Sequence, residues 1–230
     1  STRDADFAKA MGDPDLPEGK ATFVVGPERT RFQHLSKANL CVRSEYFNRM
    51  FRTGMAEGGA GAGGGAGGEA EVDMPDTDPE AFQCLLDYIV TDKVSFGGAG
   101  ATAEEARRAF LTMQLARKHG MVRLELLCQQ ALEGELLSPA SAVPLLEGAC
   151  AAGGGDGRLF AACREYMVAE GHAVAEAGGL EALRELPVAR GLLRDAYEEN
   201  DRQRTEIDQL RGGGAAGSRK RRRREEFSLF

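Results

Sequence analysis

The stretch Ser44–Glu57, SEYFNRMFRTGMAE, decides how the rest of the chain must fold. Phe47, Met50 and Phe51 stand at the i, i+3, i+4 spacing that lines one face of a helix. Glu45, Asn48, Arg49 and Arg52 fall on the other flanks, with Tyr46 beside the apolar face. Ser44 is placed to cap the N-terminus, because its hydroxyl accepts from an otherwise orphaned N–H of the first turn. Gly54 is a natural stop, since glycine enters the left-handed conformation without a Cβ penalty. So short a helix with three large apolar groups needs a partner surface. Phe47, Met50 and Phe51 are therefore assigned to the core.

The flanks supply that surface. Thr22–Val25 is apolar and β-branched, Gly26-Pro27 marks a turn, and Thr30–Phe32 returns as the second strand of a hairpin. Ser36 caps a helical turn running through Leu40 and Cys41. Glu71–Met74 alternates acidic and apolar residues, as a half-buried strand does. Asp78-Pro79-Glu80 starts a helix with a capping aspartate, proline at its first position and an acid in the first turn. Phe82, Leu85, Leu86 and Ile89 mark its apolar face. Thr91–Phe96 is expected to turn back as a short strand, with Val94 and Phe96 on one side. Past a loop at Gly97–Ala101, a helix carries Ala106, Phe110, Met113 and Ala116. His119-Gly120-Met121 breaks it, and Leu124, Leu127, Cys128, Ala131 and Leu132 continue with helical spacing. The class is α+β, a small sheet flanked by a cluster of helices.

In this order the segments resemble the BTB/POZ domain over residues 18–137. The resemblance rests on the hairpin, Leu40-x-x-Arg43-Ser44, Tyr46-Phe47-x-x-Met50-Phe51 and the acidic-apolar strand. It continues in Pro79-Glu80-Ala81-Phe82, the helix ending in Tyr88-Ile89, and the final pair around Ala116-x-x-x-Gly120-Met121. Lys20 stands where the family usually has an aspartate, and His34 is out of register with the family's usual Ala-His. Such domains form homodimers, and many recruit a cullin scaffold for ubiquitin transfer to a substrate protein. Members that bind cullin often carry an apolar-x-Glu tripeptide after the signature helix, which Met55-Ala56-Glu57 matches. A Met and a Glu at a helix end also occur without any role. Val90 stands where such adaptors often have a tyrosine.

Beyond Leu137 the pattern is helical. Ser138-Pro139 opens a helix through Val143, Leu146 and Ala149, and Gly153–Gly157 separates it from Leu159, Phe160, Cys163 and Met167. A further helix is expected around Leu180, Leu183 and Leu186. Residues 138–197 resemble the start of the BACK-type extension that often follows a BTB domain. From Ala189 a three-four register runs to Leu210, with Gln203 at a core position. Residues 198–211 thus read as a polar helix with weak coiled-coil character. Residues 1–17 hold one helical patch, Phe7 and Met11.

Composition narrows the function. The 230 residues carry a net charge of −7, which argues against a general nucleic-acid binder. No apolar run approaches the span of a bilayer. Five cysteines without C-x-x-C spacing argue against a disulfide framework or zinc ribbon and fit a reducing cytosolic or nuclear compartment. Thirty glycines concentrate in tracts, among them GGAGAGGGAGG at 58–68. That tract lacks the lysine and hydroxyl of a phosphate-binding loop, so it reads as a flexible insertion. Catalysis needs a nucleophile or acid–base pair with an orienting group, and the three histidines are isolated. A Cys150, Cys163, His172 metal site is conceivable, but the cysteines, like Cys84 and Cys128, fall on apolar helical faces. No enzyme, metal or cofactor is indicated.

The sequence ends in RKRRRR (Arg219, Lys220, Arg221, Arg222, Arg223, Arg224) and EEFSLF, behind a glycine-rich stretch. Residues 212–230 read as a disordered basic tail, and the run as a nuclear import signal for an import receptor, or as a solvated tail. The expected function is a self-associating cullin adaptor of nucleus and cytoplasm. The alternative is a nuclear scaffold or transcriptional co-regulator with no cullin partner. Ser1 in place of a methionine suggests a segment or a processed form.

Overall fold

The computed structural model describes residues 16–53, 70–97, 102–151 and 157–178, together with Arg202. Its sheet has the order β2-β1-β3. The central strand β1 (Lys20–Val25) buries Ala21, Phe23 and Val25 completely on its core side. β2 (Thr30–Ser36) runs antiparallel to it, completing the expected hairpin and extending past Phe32. β3 (Ala70–Met74) is parallel to β1, with Val72 and Met74 facing inward.

The hairpin is not regular. Ala21 pairs with Leu35 but Phe23 pairs with Phe32, so Gln33 and His34 together oppose Thr22. His34 takes the left-handed conformation (φ 60°) that this bulge requires.

Helices pack on the core side. α1 (Lys37–Arg43) starts at Ser36, whose side chain accepts from the Asn39 N–H at 3.4 Å. α2 (Glu45–Thr53) follows directly. α3 (Pro79–Thr91) starts as expected, the Asp78 carboxylate accepting from the Ala81 N–H at 3.0 Å. Asp92 ends it in the left-handed conformation (φ 61°). α4 (Ala103–Lys118) opens on a reciprocal capping box between Thr102 and Glu105. Those bonds to Thr102 hold the Glu105 carboxyl below its usual range. Gly120 (φ 68°) reverses the chain into α5 (Val122–Glu133).

Two expectations need correction. Residues 94–96 form no strand among the described residues, although Val94 is half-buried and Phe96 only 4% exposed. The alternation reported which side faces the core, and among the described residues no neighbouring strand takes up the backbone groups. The helix expected from Ser138 begins later, as α6 (Ala142–Ala151). Ser138 and Ser141 first close a turn of their own, hydroxyl to hydroxyl at 3.0 Å, with the Ser141 hydroxyl donating to the Leu136 carbonyl at 2.6 Å.

α7 (Gly157–Ala169) and α8 (Gly171–Glu176) complete the described chain. Leu145, Leu146, Leu159 and Cys163 join the same buried cluster as Phe47 and Phe82, so the extension shares the core of the domain before it. Gly148 makes the seam possible. A Cβ there would lie 2.7 Å from Cε1 of Phe110 on α4. The Phe7 and Met11 patch, the insertion at 58–68, the helix around Leu180–Leu186 and the basic tail lie outside the described residues. So does the polar helix of 198–211, apart from Arg202.

Candidate protein-interaction site

The signature helix is held from two sides. Phe47 is fully buried, its ring 5.6 Å from Phe23, 4.7 Å from His119 and 6.4 Å from Phe51. Met50 is buried at 7% exposure. Phe51 is only partly buried, edge-on to Phe23 and beneath the Lys37 ammonium at 5.8 Å. Ser44 serves both ends of a junction. Its hydroxyl oxygen accepts from the Phe47 N–H at 3.5 Å, and the hydroxyl donates to the His119 carbonyl at 2.9 Å. The first turn of α2 is thereby fastened to the break after α4. Met55 and Glu57, which follow α2, lie outside the described residues, as do Arg219, Lys220, Arg221, Arg222, Arg223 and Arg224.

A buried ionic node lies nearby, and the sequence reading missed it. The Asp92 side chain, 8% exposed, receives the Arg43 guanidinium (3% exposed) on Oδ1 and that of Arg123 at 2.9 Å on Oδ2. Arg43 also lies 5.1 Å over the Tyr88 ring, and burial raises the Tyr88 phenol above its usual range. A carboxylate taken out of water is costly unless paired, and two guanidiniums meet that requirement. The node joins the ends of α1 and α3 to the start of α5. Its one local signal was an aspartate just past a helix end, where Asp tolerates the left-handed region.

Among the described residues, the large hydrophobic side chains left exposed are Val90 (57%), Val122 (64%) and Leu126 (55%). Val122 and Leu126 share one face of α5, four residues apart. The Arg123–Asp92 contact brings the start of α5 to the end of α3, where Val90 stands.

The other candidates are dispersed or self-paired. Burial pushes the Cys163 thiol up to about 12 and Cys128 to about 12, and raises Cys84. Cys150 neighbours Cys163, but His172 is exposed and faces Glu176 at 3.4 Å. Among the described residues no group of three or more His, Cys, Asp or Glu side chains could hold a metal ion. A polar cleft of about 290 Å³ opens on the outer face of the sheet, lined by Thr22, Arg31, Gln33, His34 and Glu71. Arg31 and Glu71 pair across it at 2.8 Å.

Comparison with known proteins identifies the fold family. The sequence pattern of the BTB/POZ domain matches residues 20–136, half of the chain. The chain belongs to the BTB/POZ domain family. BTB/POZ domains are protein–protein interaction modules known to self-associate. Two relatives named BTB/POZ domain-containing protein 9, from Bos taurus and Homo sapiens, are each 36% identical over 107 residues. The matched stretch is 46% of this chain and 15% of either relative's length. Among solved structures, the chain is similar to the BTB domain of zebrafish PATZ1, at 18% identity and a TM-score of 0.36, over 58% of this chain and 94% of that one. The BTB domain of human Gigaxonin matches at 12% identity and a TM-score of 0.35, over 56% and 88%.

Proposed function

We propose that this BTB/POZ chain self-associates as a homodimer and recruits a cullin-type ubiquitin-ligase scaffold, to which it presents a substrate protein. The observation that carries the reading is the BTB/POZ match over residues 20–136, with the apolar-x-Glu tripeptide Met55-Ala56-Glu57 directly after the signature helix. Met55 is the adaptable apolar anchor and Glu57 the charged orienting contact of the apolar-x-Glu tripeptide. Val90, where such adaptors often have a tyrosine, is the departure that counts against recruitment.

Calorimetry against a cullin N-terminal region tests the proposal. Met55→Ala with Glu57→Ala weakens binding by about 2 kcal/mol or more, the range of interface hot spots, or roughly thirtyfold. Dimer state and melting temperature stay unchanged in the double variant. Wild-type chain that shows no binding at tens of micromolar sinks the adaptor reading.

The cation run Arg219–Arg224 favours a second element, nuclear residence through an import receptor. A nuclear BTB scaffold without a cullin partner is the reading that remains if calorimetry fails. Replacing the run with alanines moves a fluorescent fusion toward the cytoplasm, and an unchanged distribution rejects import.

A further inference from the structure

The six cations of Arg219–Arg224 suit a second ligand besides an import receptor. We infer that this run binds the phosphodiester backbone of nucleic acid, DNA or RNA of any base sequence. The inference goes beyond the function proposed for the chain and depends on neither the cullin contact nor import.

Three observations support it. The first is the separation of charge. Residues 219–230 hold six cations against the two carboxylates Glu225 and Glu226, a net +4. The other 218 residues carry −11, so the overall −7 describes them and not this stretch. Cations gathered in one block, apart from an acidic remainder, are the pattern of arms that meet polyanions.

The second is the commitment of the arginines elsewhere. Nine of the described arginines stand at ion-pair distance from a carboxylate, among them Arg31 on Glu71, Arg123 on Asp92 and Arg158 on Glu133. Those guanidiniums have anionic partners within the fold. The run exceeds its own neighbouring carboxylates by four cations, an excess that an external polyanion can take up.

The third is spacing. An extended chain advances about 3.3–3.6 Å per residue, and the phosphates of one DNA strand recur about every 3.4 Å along the duplex. Six successive cations can therefore meet six successive phosphates without a folded scaffold. Carboxylates spread over a protein surface offer no such row. Five of the six cations are arginines, whose planar fork takes two phosphate oxygens at once, where the lysine ammonium acts as a point charge. Contacts of this kind hold the polymer without reading its bases.

Fluorescence anisotropy of the full chain tests the inference, with short labelled duplex DNA and single-stranded RNA as probes, each in two unrelated sequences. At physiological salt the expected Kd is about 1–100 μM, the range of sequence-independent binding. The two sequences of each polymer bind alike, because no base is read. Plots of log affinity against log salt have expected slopes of about −5 on the duplex and about −4 on the single strand for each run engaged, six contacts at roughly 0.9 and 0.7 apiece. The polymer bound more tightly names the source.

Arg221→Ala with Arg222→Ala and Arg223→Ala makes the duplex slope shallower by about 3 and lowers affinity at least tenfold. A circular dichroism melt matching the wild type shows that the triple variant keeps the fold. No binding at several hundred micromolar, a wild-type duplex slope shallower than about −3, or a triple variant that binds as well as the wild type overturns the inference. Vesicles of phosphatidylserine and phosphatidylcholine serve as the rival probe. Capture by them at lower protein concentration than by either nucleic acid makes an anionic membrane the ligand and overturns it too.

Discussion

Gly148→Ala measures how tightly the helical extension is seated. Two effects oppose one another at this position. An alanine in the middle of a helix is favoured over glycine by about 1 kcal/mol. Against this, the new Cβ lies 2.7 Å from Cε1 and 3.0 Å from Cζ of Phe110, whose side chain is 7% exposed and boxed in by α4 and α6. Overpacking of this kind costs about 1–3 kcal/mol, because the ring or a helix must move. The clash wins, with a net loss of about 1 kcal/mol. In a Phe110→Leu background the offending ring atoms are gone. There the same substitution gains stability, by about the propensity difference. The prediction is thus a reversal of sign across a double-mutant cycle. Urea titration followed by circular dichroism gives the four stabilities, with constant m-values as the check on two-state behaviour. The thermal midpoints move with them, by about 2–4 °C per kcal/mol for a chain of this size. If Gly148→Ala stabilises the native background, or has one sign in both, the close seam between α4 and α6 is not real.

Phe47→Ala removes a fully buried ring packed against Phe23, Phe51 and His119, so it costs about 3–5 kcal/mol and abolishes the cooperative melt; a retained native melting temperature contradicts the core assignment. Alkaline pH destabilises the fold through its thiols. Cys41 is raised by burial from 9.0 to about 11, and Cys128 and Cys163 from 9.0 to about 12. Each folded value lies above the unfolded one, so the contribution is fully present below about 9 and is lost as pH rises through the folded values. Urea midpoints measured between pH 8 and 11 therefore fall, and Cys128→Ala shallows the dependence; a flat profile counts against burial of these thiols.

Much of the fold is legible because its signals are local. Asp78-Pro79-Glu80 starts α3 by itself, and Ser36 caps α1 with an atom three residues from its partner. Gly120 reverses the chain through its own backbone. The misses required distant partners. Val94 and Phe96 alternate as a strand does, yet a strand also needs a neighbour to bond with. The parallel pairing of β3 with β1 joins segments far apart in sequence, and no residue in Glu71–Met74 states which strand it will meet. The interaction site was legible only in part. Periodicity identified the inward face of α2, but the Asp92 node depends on three elements arriving together. The outward positions of Val122 and Leu126 became visible only once Leu124, Cys128 and Leu132 had defined the inner face of α5.

The parallel pairing of β3 with β1 also makes the two pairings of the sheet unequal in the length of chain each must close. The β1–β2 hairpin closes over the short turn Gly26–Arg29 and can form within microseconds. β3 cannot join until the chain from Val25 to Ala70 has looped back, which carries the α1–α2 pair and the glycine-rich tract with it. Loop-closure entropy grows only with the logarithm of length, at about 0.6 kcal/mol per doubling. Lengthening or trimming the tract at 58–68 therefore changes the cost of closing this loop only slightly and leaves the register of the sheet alone. The insertion falls within the longer of the two loops that the described sheet closes, where a change in length costs least.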